Sequence, residues 1–407
     1  MLRKQRPPHR RWLPHRRWLS DNRFMTDLAR ILALHRELEA AGSDYVLATV
    51  VAVEGSSYRK PGALMLLTAE GRRVGTISGG CLEAQVASRA FWLTADGPTI
   101  QRYSTAEDDG DRPYGSGCGG VVHLLLERRA TAARFLAALD RAFEHRIPIA
   151  VATVLEGPHF GLRSIAFNHA HNPPDATGTP AVPSELEAMA QQSLATQESF
   201  DAAIVTSDGP TRIRADYLRA RPGLAIFGAG DDAQPLLRQA SELGWFVSVA
   251  DGRSHLATRD RFPQAARLST LPVKELPGAT LHQAFAHIES SDAAVVMTHS
   301  FDQDSAILAC LLALPAPPAY IGVLGPQRRT RELLAEAARL LHYTESAVAA
   351  QAARWLAQLH APTGLDLGAD SPETIALSIL AEIQKSRTAA TALPLKQVRA
   401  AGDVNVR

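Results

Sequence analysis

Hydrophobic residues in the first half of the chain follow two different spacings. Apolar positions recur at helical intervals from Leu28 to Leu38, and Gly42 is a suitable stop, so we predict a helix there. The run from Tyr45 to Val53 is continuous, apolar and rich in β-branched residues, which predicts a buried strand. Further strands are predicted at 63–68, 72–78 and 121–127, and helices near 82–93 and 130–144. This half is therefore predicted to be a mixed α/β domain over residues 25–160.

The second half alternates short apolar runs with amphipathic stretches of helical length. Strands are predicted at 223–227, 246–250, 293–297 and 320–323, and helices at 232–243, 305–314, 330–341 and 371–385. Strand and helix units in alternation indicate a parallel sheet with helices on both faces. We therefore predict an α/β protein whose second domain is of the Rossmann type over residues 222–365. A C-terminal helix and tail follow over residues 366–407.

The segment between the two halves has a different composition. Residues 156–195 are rich in Pro, His, Gly and Thr, as in His169-Ala-His-Asn-Pro-Pro174, which favours a loop. We accordingly predict a linker or insertion and a connecting segment over residues 161–221.

The composition is that of an ordinary globular protein. Of 407 residues, 46% are hydrophobic and 21% charged, which excludes a disordered or fibrous chain. Apolar runs such as that from Tyr45 to Val53 fall well short of the roughly 20 residues of a membrane helix, so we predict no membrane span.

The net charge of +1 conceals a basic head over residues 1–24. It holds eight Lys or Arg, one acid, and two copies of Pro-His-Arg-Arg-Trp-Leu, at Pro8–Leu13 and Pro14–Leu19. Two interpretations remain open, a nucleic-acid or targeting arm and an upstream translation start with Met25 as the true start. We favour the second, and predict a disordered extension with no nucleic-acid partner.

The chain has three cysteines, Cys81, Cys118 and Cys310. An odd number in a chain of this length argues against a disulfide framework and for a reducing compartment, so a cytoplasmic location is expected. No Cys-x-x-Cys or His/Cys spacing predicts a zinc site. Cys310 lies within a predicted helix and is expected to be a core residue.

A glycine-rich turn joins the first strand and helix of the second domain. In Gly228-Ala-Gly230-Asp-Asp-Ala233, Gly228 permits the tight turn, Gly230 lets the backbone approach a pyrophosphate, and Ala233 lets the helix lie on the sheet. Asp251 ends the next strand, where such folds bind a ribose hydroxyl, and Arg253 is placed to meet a phosphate instead. We favour a dinucleotide-type ligand over a structural turn whose aspartates only cap the helix.

The ends of two further predicted strands are expected to lie beside this glycine-rich turn, in one crevice at the edge of the sheet. Polar residues follow these strands at His299, Asp302, Asp304 and Arg328. Ligands of open α/β sheets bind beyond the carboxyl ends of the strands, so these residues are candidates. The alternative is that Asp304 is a helix N-cap and that Arg328 and Arg329 form a solvated first turn.

Two glycine-flanked cysteines form the second candidate site. Ser78-Gly79-Gly80-Cys81-Leu-Glu83 opens a helix, whose dipole lowers the pKa of a thiol and favours the thiolate that binds soft metals. Gly117-Cys118-Gly-Gly120 presents another thiol on open backbone. The alternative is two small residues in tight turns, without reactivity.

These motifs together resemble the XdhC/CoxI family, the accessory factors of xanthine dehydrogenase and related molybdenum hydroxylases. The matching stretches extend from Met25 to Lys385 and include the following: Val53-Glu-Gly-Ser-Ser-Tyr-Arg-Lys-Pro-Gly62, Ser78–Glu83, Cys118–Gly120, Ile226–Gly230, Asp251–Arg253 with Arg261–Pro263, Met297–His299, His360–Asp366 and Ile375–Glu382.

The resemblance implies a cytoplasmic chaperone that binds molybdenum cofactor, as molybdopterin or its dinucleotide. It further implies that the chaperone supports sulfuration of the cofactor by a cysteine desulfurase and delivers it to the hydroxylase, in a context such as purine catabolism. Cys81 matches the family's cofactor-associated cysteine and is a candidate molybdenum contact, beside Gly79, Gly80 and Cys118. We expect a homodimer without turnover of its own; the alternative is an NAD(P)-dependent oxidoreductase.

Overall fold

The computed structural model describes residues 26–80, 82–104, 120–167, 183–206, 208–272, 285–388 and 390–398. The basic head lies outside these residues. Strands are found at Tyr45–Glu54 (β1), Leu64–Thr68 (β2), Arg73–Gly75 (β3), Thr99–Ser104 (β4), Val121–Arg128 (β5), Ile149–Glu156 (β6), Arg163–Phe167 (β7), Phe200–Thr206 (β8), Gly209–Leu218 (β9), Gly223–Phe227 (β10), Phe246–Asp251 (β11), Arg267–Thr270 (β12), Ala293–Val296 (β13) and Tyr320–Val323 (β14). Helices are found at Asp27–Ala41 (α1), Glu83–Leu93 (α2), Arg129–His145 (α3), Ser184–Thr196 (α4), Ala233–Glu242 (α5), Phe301–Leu312 (α6), Gln327–Leu340 (α7), Glu345–Leu356 (α8), Pro372–Thr388 (α9) and Leu395–Val398 (α10).

The first sheet is antiparallel, in the order β3-β2-β1-β5-β4. Its central strand β1 begins with seven consecutive buried residues, because helices cover both faces of the sheet. Apolar residues of α1 and α3 pack on one face, and those of α2 on the other. The predicted mixed α/β character of the N-terminal half is confirmed.

The second sheet corrects our prediction for the connecting segment. In place of a linker, the described part of residues 161–221 supplies three strands of an antiparallel sheet, β7-β6-β9-β8, with α4 packed against it. The fourth strand, β6, pairs with both β7 and β9. In β8 the residues alternate between half-buried and exposed, and none is fully buried. The strand therefore has no continuous apolar run by which the sequence could predict it. Much of the Pro- and His-rich stretch, residues 168–182, lies outside the described residues.

The third sheet is parallel, in the order β12-β11-β10-β13-β14, which confirms the Rossmann-type domain. Strand β10 lies between β11 and β13. The strands that follow β10 in the chain are therefore added first on one side of it and then on the other, and a crevice opens at its carboxyl end between the two sets. One face of the sheet packs on α6, α7 and α8, and the other on α5 and α9. No helix in the described part of the chain is long and apolar enough to cross a membrane.

The N-terminal half and the Rossmann-type domain meet at the amino ends of the parallel strands. Arg146 follows α3 and forms an ion pair with Asp292, just before β13; both side chains are buried. The guanidinium of Arg221 lies over the rings of Phe143, in α3, and Phe246, the first residue of β11. Charged and aromatic side chains therefore join the two parts at the edge opposite the glycine-rich turn.

Candidate functional site

The glycine-rich turn leaves the carboxyl end of β10 as the sequence predicts. Gly228 has φ +133°, and a Cβ at this position would collide with the carbonyl oxygen of Met297 at the end of β13. Only glycine fits this close approach without strain. A Cβ at Gly230 would instead lie 2.5 Å from Oδ1 of Asp232, which is the end of a side chain and not backbone. Gly228 is thus required by the fold, and Gly230 keeps the outer surface of the turn open.

Asp232 is linked to His299 and does not cap its helix. It is the residue before α5, yet its side chain makes no capping hydrogen bond there. Instead, Oδ2 lies 2.7 Å from Nε2 of His299. His299 has φ +63°, an uncommon conformation for a non-glycine residue. The pair joins the glycine turn to the end of β13.

Asp251 is found at the end of β11, as predicted, but its carboxylate is occupied by the protein. The side chain is fully buried. Oδ2 accepts hydrogen bonds from the backbone N–H of Ala229 and from Nη2 of Arg253, both at 2.8 Å. Oδ1 accepts from the backbone N–H and Nε of Arg253, at 2.8 and 2.9 Å. Burial alone raises the pKa of Asp251, but these hydrogen bonds outweigh it and hold the pKa below its ordinary value.

Two guanidinium groups flank the peptide of Ala229. Arg253, besides pairing with Asp251, donates from Nη2 to the carbonyl oxygen of Thr298 at 3.0 Å, and so spans from the end of β11 to the end of β13. Arg261 donates from Nη2 to the carbonyl oxygen of Ala229 at 3.1 Å and pairs with Asp231 at 2.9 Å. The sequence motifs alone gave Arg261 no role, although it belongs to one of the quoted stretches.

Asp304 is also in the crevice, but it is not the helix N-cap that we considered. The cap of α6 is Ser300, whose Oγ accepts from the backbone N–H of Gln303. Asp304 is buried; its Oδ1 accepts from Oγ1 and the backbone N–H of Thr298, and its Oδ2 pairs with Arg329 at 2.7 Å. The carboxylate therefore fixes the end of β13.

The two arginines after β14 have different environments. The side chain of Arg328 is 90% exposed and faces Glu332, whereas Arg329 reaches the buried Asp304. Arg329, not our candidate Arg328, belongs to the crevice. The helical register carried this signal, because Arg329 lies one turn from the buried Leu333. Our other candidate, Asp302, is an exposed residue of the first turn of α6.

In the N-terminal half, the loop that contains Cys81 is held by a buried serine and glutamate. Oγ of Ser78 donates to Oε2 of Glu83 at 2.6 Å and accepts from the backbone N–H groups of Gly80 and Leu82. Oε1 of Glu83 accepts from the N–H of Ser78 at 2.8 Å. Burial raises the pKa of Glu83, but its hydrogen bonds to the 77–78 loop dominate and lower it. The backbone on both sides of Cys81 is thus fixed.

The three glycine-containing motifs of this half meet at one corner of the first sheet. A Cβ at Gly79 would lie 3.8 Å from the ring of Tyr58, and one at Gly120 would collide with the carbonyl oxygen of Ser56. Cys81 and Cys118 themselves lie outside the described residues. Cys310 is buried in α6 as expected, and burial raises the pKa of its thiol to about 12. In the described part of the chain, no three His, Cys, Asp or Glu side chains are grouped to hold a metal ion.

Residues next to this corner contact the Rossmann-type domain at the amino ends of its parallel strands. Oδ2 of Asp27, at the start of α1, accepts from Oγ1 of Thr76 at 2.8 Å and pairs with Arg59. The neighbouring Thr26 packs against Gly244, just before β11. The glycine turn lies at the opposite, carboxyl edge. The described contacts within one chain therefore do not bring the glycine turn at Gly228 next to the loop of Cys81. That the two bind one ligand together stays a prediction.

Comparison with known proteins covers both halves. Residues 38–104 match the model described as the XdhC and CoxI family, and residues 224–383 match that of the XdhC Rossmann domain. The chain is 33% identical to a Bacillus subtilis protein described as a probable xanthine dehydrogenase subunit, over 87% of this chain and 97% of that protein. It is 26% identical to the molybdenum cofactor insertion chaperone PaoD of Escherichia coli, over 89% of each.

A solved structure has the same architecture. It is described as a xanthine dehydrogenase from Bacillus halodurans and is 27% identical, with a TM-score of 0.65 over 92% of this chain and all of that one. The two family models fall on the two halves that contain the glycine-rich corner and the Rossmann crevice. On these matches, the chain belongs to the XdhC and CoxI family.

Proposed function

We propose that this protein is an accessory chaperone that binds molybdenum cofactor, supports its sulfuration and delivers it to a xanthine dehydrogenase-type hydroxylase. The names of its relatives support the first part, since one is a molybdenum cofactor insertion chaperone. The partners in this proposal are the hydroxylase apoprotein and a cysteine desulfurase, and the protein acts in the cytoplasm as a homodimer without turnover of its own.

The crevice at the carboxyl edge of the parallel sheet is the observation that carries the proposal. Molybdenum cofactor ends in a phosphate, or in a pyrophosphate in its dinucleotide form. The backbone from Gly230 to Asp232, flanked by the guanidinium groups of Arg253 and Arg261, is the part of the turn that we expect to donate N–H groups to such an anion. His299 is held beside this turn by Asp232, ready to face the same anion.

The loop around Cys81 supplies the second part of the proposal. A thiolate two residues before α2 is stabilised by the helix dipole and is a soft ligand suited to molybdenum. The Ser78 and Glu83 hydrogen bonds hold the backbone that flanks Cys81. In our proposal the crevice binds the phosphate end and Cys81 contacts the metal end, with a second copy of the chain able to supply one of the two sites.

The proposal is tested by identifying the small molecule that the purified protein retains. Mass spectrometry after gentle denaturation is expected to find molybdopterin or its dinucleotide. Cys81→Ala should lower the retained sulfurated cofactor and the activation of the hydroxylase, with an unchanged unfolding midpoint. Cys310→Ala, which removes a thiol from the core of α6, is the control and should leave cofactor content unchanged. Equal cofactor content and equal activation by Cys81→Ala and the unmodified protein would contradict the role of Cys81.

A nicotinamide-dependent oxidoreductase is the second candidate function. It is favoured by the position of the glycine turn at the topological switch point of the parallel sheet, where such folds bind dinucleotides. It predicts an absorbance change of NADH or NADPH with some substrate. A Gly230→Asp variant should lose that change, because its carboxylate would add negative charge where a pyrophosphate binds.

A further inference from the structure

Asp251 occupies the position that normally identifies a dinucleotide by its ribose. In Rossmann domains an acid at the end of this strand accepts hydrogen bonds from the ribose hydroxyls. A carboxylate has about four lone-pair positions for donors. Here all four are used by protein groups, three from Arg253 and one from Ala229. A ribose diol reaching Asp251 would have to displace the guanidinium from a fully buried carboxylate.

The guanidinium of Arg253 has donors to spare. Its Nε and Nη2 groups are committed to Asp251 and Thr298, and the side chain is 36% exposed. Nη1 has no protein acceptor among the described residues, so its N–H groups remain for a ligand. Hydrogen bonding to Asp251 also fixes the plane of the guanidinium, which lowers the entropy cost of binding.

A second arginine lies beside the same peptide. Arg261 binds the carbonyl oxygen of Ala229, whereas Arg253 is linked to the N–H of that residue through Asp251. The backbone N–H of Gly252, between Asp251 and Arg253, is also used by the protein, because it donates to Oε1 of Gln303 at 3.1 Å. The end of β11 therefore presents guanidinium groups outward, with its carboxylate hidden beneath them.

We propose that this crevice recognises a nucleotide through a phosphate monoester on its ribose and discriminates against the unmodified ribose. Arg253 makes the primary contact with the phosphate and Arg261 the supporting one. The recognition is electrostatic, and the phosphate accepts charge-assisted hydrogen bonds from the Nη1 N–H groups that Arg253 keeps free of Asp251 and Thr298. Nucleotide binding by the crevice alone does not require molybdenum cofactor, and it therefore goes beyond the proposed function.

Calorimetric titration of the full chain with 2′,5′-ADP and with ADP tests the inference, followed by NADPH and NADH. We expect 2′,5′-ADP to bind at least about tenfold more tightly than ADP, as one charge-assisted pair provides. Arg253→Met should remove the preference by weakening 2′,5′-ADP, whereas ADP should bind as tightly as before or more tightly, because Asp251 is then uncovered for the ribose hydroxyls. Arg261→Met should reduce it in part. Arg331→Met, at an exposed position of α7, is the matched control and should keep the preference.

Loss of Arg253 leaves Asp251 buried without its partner, so Arg253→Lys serves as a second variant. Lysine retains the charge but has a single nitrogen, so it cannot hold Asp251 and also donate freely to the phosphate, and a reduced preference with a native unfolding midpoint is expected. Equal affinity for the two nucleotides, no binding of either, or a preference that survives in Arg253→Met would overturn the inference. Inorganic phosphate binding as tightly as 2′,5′-ADP would also overturn it, by showing that the nucleotide is not recognised.

Discussion

The carboxylate of Glu382, in α9, holds together two distant motifs of the second half. Its Oε2 accepts from the hydroxyl of Tyr320 and from the backbone N–H of Gly364, both at 2.7 Å. Its Oε1 lies 3.0 Å from Nδ1 of His360, whose ring stacks on Tyr320. Burial raises the pKa of Glu382, but these donors outweigh it and lower the pKa. One side chain thus ties the 360–364 segment and α9 to the edge of the parallel sheet.

Stability is therefore expected to depend on the ionisation of Glu382. A carboxyl whose pKa is lowered by folding stabilises the protein above its unfolded pKa, about 4.3, and this contribution is lost as the pH falls through the folded value. Glu382→Gln should lower the free energy of unfolding by about 1–3 kcal/mol at pH 7, through the lost charge-assisted hydrogen bonds. Urea denaturation at several pH values measures it.

Glu373→Gln, at an exposed position of the same helix, is the matched control and should have little effect at any pH. The deficit of Glu382→Gln should shrink as the pH falls below about 4.3 and through the lowered pKa of folded Glu382, where the unmodified carboxyl becomes protonated. A deficit that is constant from pH 7 to pH 3 would show that the charge of Glu382 is not the cause.

The turn between β10 and α5 contains two glycines with unequal structural demands. Gly228→Ala places a methyl group against the carbonyl of Met297 at a left-handed φ, and we expect a loss of about 2–4 kcal/mol. Gly230→Ala has an ordinary φ and meets only the side chain of Asp232, so the fold should tolerate it. The difference between their urea midpoints tests the assignment, and equal midpoints would contradict it.

Most elements with a strong local signal were predictable, and the exceptions have physical causes. The strands β10 and β14 match the predicted ranges because continuous apolar runs fill a sheet buried on both faces. Strand β12 has four residues, all half-buried or exposed, and leaves no apolar run to find. Strands β8 and β9 bury one face only, and the helix at Glu345–Leu356 was also missed.

The sequence predicted most of the residues that belong to the candidate site, but not which of them contact one another. The glycine turn, Asp251, Arg253 and His299 lie at or just after the ends of adjacent strands, and Asp304 lies in the first turn of the helix after β13; the alternation of elements reveals this arrangement. Their mutual contacts depend on packing across the sheet. The sequence places Asp251 and Arg253 two residues apart, but it does not show that one neutralises the other.

Arg146 and Asp292 link the two halves of the molecule. Gly223, the first residue of β10, passes so close to this ion pair that a Cβ would collide with both side chains. Arg146→Met should leave Asp292 buried without its counter-ion and cost about 3–5 kcal/mol. Calorimetric unfolding is expected to show a lower midpoint, and a separate transition for each half once their contact is weakened.

Arg238→Met, at an exposed position of α5 with a long ion pair to Glu373, is the control for this change. Its midpoint should match that of the unmodified protein. If Arg146→Met unfolds at the same temperature as this control, the ion pair does not join the two halves energetically.

The antiparallel sheet in the middle of the chain has a consequence for anyone who divides this protein into smaller pieces. Strand β6 ends at residue 156, while its hydrogen-bonding neighbours β7 and β9 come from residues 163–167 and 209–218. A fragment that stops at residue 160 would carry β6 with both backbone edges bare, inviting aggregation. Expression of the N-terminal half should therefore extend through residue 218, so that every strand keeps its neighbours.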